Sequence, residues 1–351
     1  MKFFVKKTSF LFFLVSLAAI FSFFLWAILF SFSPQLPSKE RPILFYSNQC
    51  RNDLRLLFLQ GIHHAQHSLF LVTFGLNDLS IVEALETKAK EKLTLQVFYD
   101  RRASPNILLS NHQAYALEPQ GLVHQKILIQ DQKLIFLGSA NMTKTSFAAD
   151  ENMIVGFYSP ELAQFLLQKA PFFSGSFTAM IQNQLVELFL LPDIDQIAFR
   201  SLQKVLQGAK NSIFVAMFAF THPLLVDELI LAKQRGVDVT VAISSQMALG
   251  ASKKAIEKMQ EANIKLVLSP SNSGLFHHKF AKIDENILIA GSTNWTRAAF
   301  AKNHDCFFIL HDLTFSQRIF LKKLTSTIKK NGSLTSTCTN LPPLLPSDKK
   351  H

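Results

Sequence analysis

The segment from His124 to Asn141 reads HQKILIQDQKLIFLGSAN, and the segment from His277 to Asn294 reads HHKFAKIDENILIAGSTN. Each contains His-x-Lys-x4-Asp, six further residues, and then Gly-Ser-x-Asn. Every fixed position of the second segment lies 153 residues after its counterpart in the first. Similarity at a constant spacing is typical of a duplicated structural unit. The body of the chain is therefore predicted to contain two copies of one fold.

A weaker echo precedes each motif. Residues 68–74, SLFLVTF, match residues 212–218, SIFVAMF, at a spacing of 144. Mostly apolar runs of this kind are typical of strands buried on both faces, and helical spacing follows at 80–92 and 223–235. Another apolar run follows each helix. Each copy reads strand, helix, strand, loop and motif hairpin, which predicts an α/β fold with sheets inside and helices outside.

The repeated His and Lys residues are predicted to share one site. His124 and Lys126 are two positions apart on a predicted strand, so their side chains point to the same face. His277 and Lys279 obey the same rule. If a pseudo-twofold axis relates the copies, both pairs can meet around one substrate.

Such a site would hold two imidazoles, two ammonium groups and the amides of Asn141 and Asn294. It has no carboxylate cluster suited to Mg²⁺ and no third His or Cys arranged for zinc, so neither metal nor cofactor is predicted. These residues suit a two-step displacement at phosphorus. One neutral His attacks, and the other, protonated, donates to the leaving oxygen and later takes a proton from water or an alcohol. The lysines would neutralise the non-bridging oxygens.

This doubled motif resembles the signature of the phospholipase D superfamily over most of residues 42–330. The resemblance implies two tandem α/β/α repeats packed about a pseudo-twofold axis, with the active site at their interface. It implies that His124 is the nucleophile and His277 the acid. The expected catalytic set is His124, Lys126, Asp131, His277, Lys279 and Asp284.

The family also has an acidic residue after Gly-Ser-x-Asn that orients a catalytic His. Glu151 and Asp305 fit that place, although their distances from the preceding Asn differ by one residue. Asp131 and Asp284 stand at odd spacing from the His, so we expect them to support the hairpin. The expected phosphate-binding and orienting set is Ser139, Asn141, Glu151, Ser292, Asn294 and Asp305.

Length and composition limit the alternatives. The chain has 351 residues, 48% hydrophobic and 17% charged, which excludes an intrinsically disordered protein. Three Cys exclude a dense disulfide scaffold. The formal charge of +11 favours anionic partners such as lipid head groups or another phosphate polymer.

The N-terminal region is predicted to be a membrane anchor. No charged residue occurs from 10 to 32, and a helix of about 20 residues spans a bilayer. A cleaved signal peptide or a buried core helix are the alternatives. The lysines before this run favour a cytoplasmic N-terminus, which places the body on the extracytoplasmic side of a single-pass membrane protein. The predicted organisation is 1–33 anchor, 34–187 first repeat, 188–340 second repeat and 341–351 flexible tail.

The doubled motif predicts the chemistry at phosphorus, whereas the substrate has to be inferred from other features of the sequence. An anchored body favours a membrane phospholipid, cleaved on its head-group side to phosphatidic acid. Alternatives are phosphatidyl transfer as in cardiolipin synthesis, a membrane-tethered nuclease acting on nucleic acid without metal, and an inactive lipid-binding protein. The active site is expected within one monomer, with no obligate protein partner.

Several residues outside the motifs allow two interpretations. His63 and His67 have the spacing of a helical metal site, but a solvated helix face is expected. Arg101 and Arg102 can meet a phosphate or face water. Cys50 and Cys338 flank the repeats and could pair if the body is exported. The end of the strand at 212–218 can line the substrate entrance or pack locally, through Phe218, Phe220, Thr221 and His222.

Overall fold

The computed structural model describes residues 14–18, 20–22, 33–171, 174–270 and 274–335. Residues 14–18 and 20–22 are helical and belong to a unit separate from the body, which begins at Leu36. Most of the anchor predicted at 10–32 lies outside the described residues, as do the tail from 341 and Cys338. Among the helices that the structure describes, none combines the length and apolar character needed to cross a bilayer.

The first half of the body alternates strands and helices as the sequence predicts. The run at 68–74 forms a strand and the helical spacing at 80–92 forms a helix. Asp53 and Asp78 cap the first two helices, because their carboxylates accept hydrogen bonds from Leu56 N and Ile81 N. The elements are β1 Ile43–Ser47, α1 Leu54–His63, β2 Ser68–Thr73, α2 Leu79–Lys90, β3 Thr94–Asp100, β4 Ala114–Leu117, β5 Ile127–Gln130, β6 Leu134–Gly138, α3 Lys144–Ala148, β7 Met153–Tyr158 and α4 Pro160–Lys169.

The second half repeats this order with additions at both ends and two extra helices, Ser245–Leu249 and Lys253–Glu261, in its middle. Gly236 follows its helix at φ 90°, a left-handed conformation that suits glycine at a helix end. The elements are β8 Gly175–Ile181, β9 Gln184–Leu190, α5 Ile197–Gly208, β10 Ser212–Met217, α6 Pro223–Gln234, β11 Asp238–Ser244, α7 Ser245–Leu249, α8 Lys253–Glu261, β12 Lys265–Ser269, β13 Lys279–Ile283, β14 Ile287–Gly291, α9 Arg297–Ala301, β15 Cys306–Leu310, α10 Phe315–Asn331 and β16 Ser333–Thr335.

Each half builds one mixed sheet. Within the described chain, the first sheet has seven strands in the order β1-β7-β6-β5-β2-β3-β4, and the second has nine in the order β16-β12-β11-β10-β13-β14-β15-β9-β8. The strand β2 pairs parallel with β3 and antiparallel with β5, and β10 pairs in the same way with β11 and β13. The motif hairpins β5–β6 and β13–β14 therefore occupy equivalent central places.

The two sheets face each other across a shared apolar core. The rings of Phe157 from β7 and Phe308 from β15 meet edge to face across this core, 5.2 Å between centroids. Two further apolar clusters cover the outer faces, one under α1 and α2, the other under α5, α6 and α8. The predicted α/β layering is confirmed, and the inner core holds the halves together.

The boundary predicted between residues 187 and 188 is wrong. It falls inside β9, which pairs with β8 on one side and with β15 on the other. The whole hairpin from Gly175 to Leu190 belongs to the second sheet. The sequence could not show this, because sheet membership depends on pairing with a strand more than a hundred residues later.

Candidate active site

The two motifs meet where the backbones of the halves are hydrogen-bonded to each other. The amide of His124 donates to the carbonyl of His304 over 2.8 Å, and the amide of His277 donates to the carbonyl of Glu151 over 3.0 Å. Parallel bridges join Val123 to His304 and Glu151 to Phe276. Each contact in one half lies 153 residues from its counterpart in the other, so the pseudo-twofold relation extends to single hydrogen bonds.

The His124 imidazole is held by a carboxylate from the second half. Its Nδ1 lies 2.9 Å from Asp305 Oδ1 and 3.2 Å from Oδ2. An ionised carboxylate only accepts hydrogen bonds, so Nδ1 carries the hydrogen and Nε2 presents its lone pair. Burial lowers the pKa of His124, against the opposing charge of Asp305. Burial acts to raise the pKa of Asp305, but the charges of His124 and Lys126 and the hydrogen bonds from His124 and Ser292 together lower it below its ordinary value.

The His277 imidazole is held by an amide from the first half. Its Nδ1 lies 3.0 Å from Asn152 Oδ1. The Asn152 amide nitrogen donates to the carbonyls of Ser146, over 3.0 Å, and Asp150, over 3.3 Å, which fixes the oxygen toward the imidazole. Burial, then the charges of Lys279 and Lys126, lower the pKa of His277 well below its ordinary value.

The partner of His277 is therefore Asn152 and not Glu151 as predicted. Asn152 lies 153 residues before Asp305, so the repeat spacing identifies it where a search for an acidic residue does not. The Glu151 side chain hydrogen-bonds Gln49, and burial raises the pKa of its carboxyl. Only the Glu151 backbone contacts the site, as the acceptor for His277 N.

The two lysines are buried beside the imidazoles. Lys126 Nζ donates to the carbonyl of His124, and Lys279 Nζ donates to the carbonyl of His277 over 3.0 Å. Burial lowers the pKa of Lys126 to about 7. Burial, and next the charge of Lys126, lower the pKa of Lys279 well below its ordinary value. The charge of Lys126 thus disfavours the protonated form of Lys279. An anion bound between the two ammonium groups would oppose this repulsion.

A family model described as "Cardiolipin synthase, PLD-like domain" matches residues 58–170 and again residues 202–322. These two matches follow the two halves of the body and together cover more than half of the chain. The chain belongs to the phospholipase D superfamily. The family resemblance of the doubled motif is confirmed.

Known relatives each match about a third of the chain. Mitochondrial cardiolipin hydrolase of Mus musculus is 37% identical over 123 residues, which is 35% of this chain and 54% of that protein. A phospholipase D of Rickettsia typhi is 27% identical over 127 residues, 35% of this chain and 61% of that protein. The chain thus spans about half the length of the curated relatives it matches.

A solved structure shows the same fold across nearly the whole chain. The phosphatidylserine synthase of Haemophilus influenzae Rd KW20 superposes with a TM-score of 0.70 at 12% identity, covering 88% of this chain and 90% of that one. At this identity the likeness concerns the fold alone. It agrees with two phospholipase D-like repeats in one chain.

The two motif serines bind the orienting side chains. Ser139 Oγ donates to Asn152 Oδ1 over 2.8 Å, and Ser292 Oγ donates to Asp305 Oδ1 over 2.5 Å. Both serines are almost completely buried. These hydrogen bonds fit the orienting part of the role expected for the serines, and phosphate binding by their hydroxyls stays a prediction. The two serines hydrogen-bond Asn152 and Asp305, which in turn hydrogen-bond the imidazoles.

The motif amides and two aromatic rings complete the surroundings. Asn294 Oδ1 accepts from Ala219 N over 3.3 Å, while Asn141 Oδ1 has no hydrogen-bond partner among the described residues. The Phe74 ring lies 5.5 Å from the His124 ring, and the Phe218 ring lies 5.3 Å from that of His277. The lysine nitrogens lie 5.4 and 5.2 Å from the same phenyl centroids.

Phe74 was missed in the sequence, although the spacing of 144 that relates it to Phe218 could have identified it. Of the residues weighed with Phe218, Phe220 packs edge to face on Trp295. His222 stacks on Phe199 instead of facing the paired imidazoles. The local-packing interpretation therefore holds for these two.

The motif aspartates bind backbone amides and support the fold, which agrees with their spacing but not with their place in the expected catalytic set. The Asp131 carboxylate accepts from the amides of Gln66, His67 and Ser68, the shortest over 2.7 Å. Asp284 accepts in the same way from the amides of residues 210–212. Both residues adopt a left-handed conformation at the hairpin turn, with φ near 50°. They fasten each hairpin to the start of the neighbouring central strand.

The remaining candidates lie outside the paired His–Lys cluster. His63 and His67 are exposed, as expected, but α1 ends at His63, so His67 lies after the helix and the predicted i, i+4 helical spacing does not form. Arg102 forms a two-pronged ion pair with Asp100, so its charge is already partnered. Cys50 and Cys306 are buried free thiols. Across the part of the chain that the structure describes, no group of three or more His, Cys, Asp or Glu is arranged to hold a metal ion.

Proposed function

We propose that the chain is a phosphodiesterase of the phospholipase D type that hydrolyses or transfers the head group of a membrane phospholipid. Hydrolysis gives phosphatidic acid through a phosphohistidine intermediate. The observation that carries this proposal is the crossed pairing, in which Asp305 holds His124 and Asn152 holds His277. Both imidazoles are thereby held through Nδ1 beside two buried lysines, and neither Nε2 has a hydrogen bond to the residues that the structure describes.

In the first step, the Nε2 lone pair of His124 attacks phosphorus and forms a P–N bond. The P–O bond to the head group breaks, and the leaving oxygen takes the proton from His277 Nε2. Lys126 and Lys279 balance the charge on the non-bridging oxygens. The bound phosphodiester anion opposes the burial cost of a charged imidazole, so it raises the pKa of His277 toward the protonated form.

In the second step, neutral His277 takes a proton from a water molecule, whose oxygen attacks phosphorus and breaks the P–N bond. Phosphatidic acid leaves, and both imidazoles return to their starting states. An alcohol that replaces this water gives a new phosphodiester, which is the transfer reaction. The proton balance is the same in both cases.

The unequal partners favour His124 as the nucleophile. A phosphorylated imidazole carries positive charge, and the buried carboxylate of Asp305 stabilises it. A general acid must release its proton, and the neutral amide of Asn152 favours the cationic form of His277 less than a carboxylate would. This supports the division of roles that the family resemblance implies.

A phospholipid substrate is supported by three features. Both relatives compared above carry names of lipid-cleaving enzymes, the cardiolipin hydrolase of mouse and the phospholipase D of Rickettsia typhi. The formal charge of +11 attracts an anionic bilayer. The uncharged run from 10 to 32 would place the body beside lipid, with the N-terminus in the cytoplasm and the body on the other side.

The substrate is tested by incubating the detergent-solubilised full chain with labelled phosphatidylcholine, cardiolipin and single-stranded DNA in EDTA. We expect lipid turnover that persists in EDTA, because the proposed steps use no metal, and little DNA cleavage. Added glycerol separates transfer from hydrolysis. The double variant His124→Ala/His277→Ala serves as the blank. DNA cleavage without lipid turnover, or strong loss in EDTA, would contradict the proposal.

Anion binding should be linked to proton uptake. In the free protein the pKa of Lys126 is about 7, and a bound dianion raises it. Sulfate, whose charge is constant from pH 6 to 9, should therefore bind more weakly as pH rises above 7, by up to about tenfold per unit for one linked proton. Calorimetry in buffers of different ionisation heats measures both quantities. Lys126→Met should weaken binding and flatten the slope, whereas pH-independent affinity without proton uptake would show the lysine assignment to be wrong.

A further inference from the structure

A second cavity lies in the second repeat, away from the paired imidazoles. Its volume is about 420 Å³, within the roughly 300–1,000 Å³ typical of small-molecule sites. None of the His–Lys motif residues lines it. It is bounded by the segment before α5, the start of α6, and α9. Its lining includes Ile194, Phe199, His222, Leu224, Arg297 and Phe300.

The duplication supplies an internal comparison for this cavity. At the equivalent place of the first repeat, Arg55 forms an ion pair with Asp78, with 2.9 Å between Nη2 and Oδ2. The Arg55 guanidinium also lies 5.7 Å from the centre of the Phe147 ring. The spacings of 144 and 153 place Phe199, His222 and Phe300 at these three positions. The second repeat has thus exchanged a partly buried ion pair for two aromatic rings.

These rings form an apolar wall. His222 stacks on Phe199 at 4.6 Å, and Phe300 meets their edges at 5.4 and 5.7 Å. Burial, and next the charge of Arg297, lower the pKa of His222 to about 4, so this imidazole is neutral at physiological pH. The Asp193 carboxylate at the cavity edge accepts from Phe199 N and so caps the helix.

The opening combines exposed apolar side chains with one cation. Ile194 is 88% exposed and Leu224 is 50% exposed. Arg297, the first residue of α9, is also exposed. These aliphatic side chains extend the aromatic lining of the cavity to its opening. A basic group at the mouth favours a ligand with an acidic end and an apolar body.

We propose that this cavity binds an anionic single-chain amphiphile, such as a fatty acid. Its chain lies against Phe199, His222 and Phe300, and its acidic group meets Arg297. The site is separate from the phosphodiesterase centre. Binding there does not require turnover, so this inference stands or falls independently of the proposed reaction.

The test uses the full chain in a non-ionic detergent with a diazirine-bearing palmitate, followed by peptide mapping with mass spectrometry. We expect cross-links in peptides that contain residues 193–200 and 297–301. Excess palmitate should suppress them, while uncharged hexadecanol should not. Arg297→Gln should reduce this labelling about tenfold, as for a lost charge-assisted hydrogen bond. The matched control is Lys144→Gln at the equivalent position of the first repeat, which should leave it unchanged.

A second variant transplants the ion pair of the first repeat. Phe199→Arg combined with His222→Asp should fill the cavity and abolish the labelling, with folding checked by thermal melting. If that variant melts early, Arg297→Gln against Lys144→Gln still decides the matter. Equal labelling in those two variants, equal competition by hexadecanol, or cross-links confined to other peptides would each overturn the proposal.

Discussion

Alanine at His124 should lower the turnover of a phospholipid by at least about 10⁴-fold, because it removes the nucleophile and with it the covalent route. Alanine at His277 should lower it by about 10²–10⁴-fold, the range for a lost general acid. Initial rates on labelled phosphatidylcholine measure both losses. Unchanged melting temperatures would confirm that the folds are intact. Near-normal turnover in either variant would exclude a shared two-imidazole site.

The variants His124→Ala and His277→Ala should respond differently to a substrate with a better leaving group. An aryl phosphodiester with a nitrophenolate leaving group needs no proton from an acid. His277→Ala should therefore still release nitrophenol and accumulate a phosphorylated protein, while His124→Ala should do neither. Rapid quenching at alkaline pH, which preserves phosphohistidine, followed by peptide mapping, distinguishes them. A phosphate found on His277 would reverse the assigned roles.

Exchange of Asp305 for Asn should reduce turnover by about 10²–10³-fold, the loss typical of one electrostatic contact to developing charge. The fold should tolerate the change, because Asn152 occupies the equivalent place in the first half. The loss would then reflect the missing negative charge beside His124 and not misplaced geometry. Single-turnover rates of phosphoprotein formation measure it directly. A turnover rate within a few-fold of the original would remove the electrostatic basis of the assignment.

The reciprocal change sharpens this prediction. Asn152→Asp puts a carboxylate against His277, which raises the pKa of that imidazole and makes it a weaker acid. The alkaline limb of the rate profile should move to higher pH. In the double variant Asp305→Asn/Asn152→Asp, the covalent phosphate should appear on His277. If it remains on His124, some other feature of the site selects the nucleophile.

Local pattern predicted most of the secondary structure and half of the site. The strands at 68–74 and 212–218 and the helices after them follow from apolar spacing. The family resemblance identified Asp305 as a residue that orients a catalytic His, but not which His it holds. Asn152 was missed because the search was for an acidic residue, whereas the physical requirement is an acceptor for Nδ1–H. An amide oxygen meets that requirement as well as a carboxylate does.

Long-range pairing was beyond what spacing could show. Most of the hairpin from Gly175 to Leu190 was assigned to the first copy from its position in the sequence. It belongs to the second sheet because β9 pairs with β15. The engagement of Ser139 and Ser292 with the orienting side chains also depends on how closely neighbouring strands lie. Such contacts depend on tertiary geometry, which residue periodicity does not encode.

Each half supplies the hydrogen-bond acceptor for the imidazole of the other half, and this arrangement affects how the two copies can diverge. In a symmetric dimer of identical subunits, each imidazole would have the same acceptor from the other subunit. Covalent fusion of the copies lifts that restriction, since each can then mutate independently. The difference between a carboxylate on one ring and an amide on the other is therefore not available to a symmetric homodimer. The proposed division of roles, with one ring for attack and the other for proton transfer, thus depends on two copies that differ in sequence.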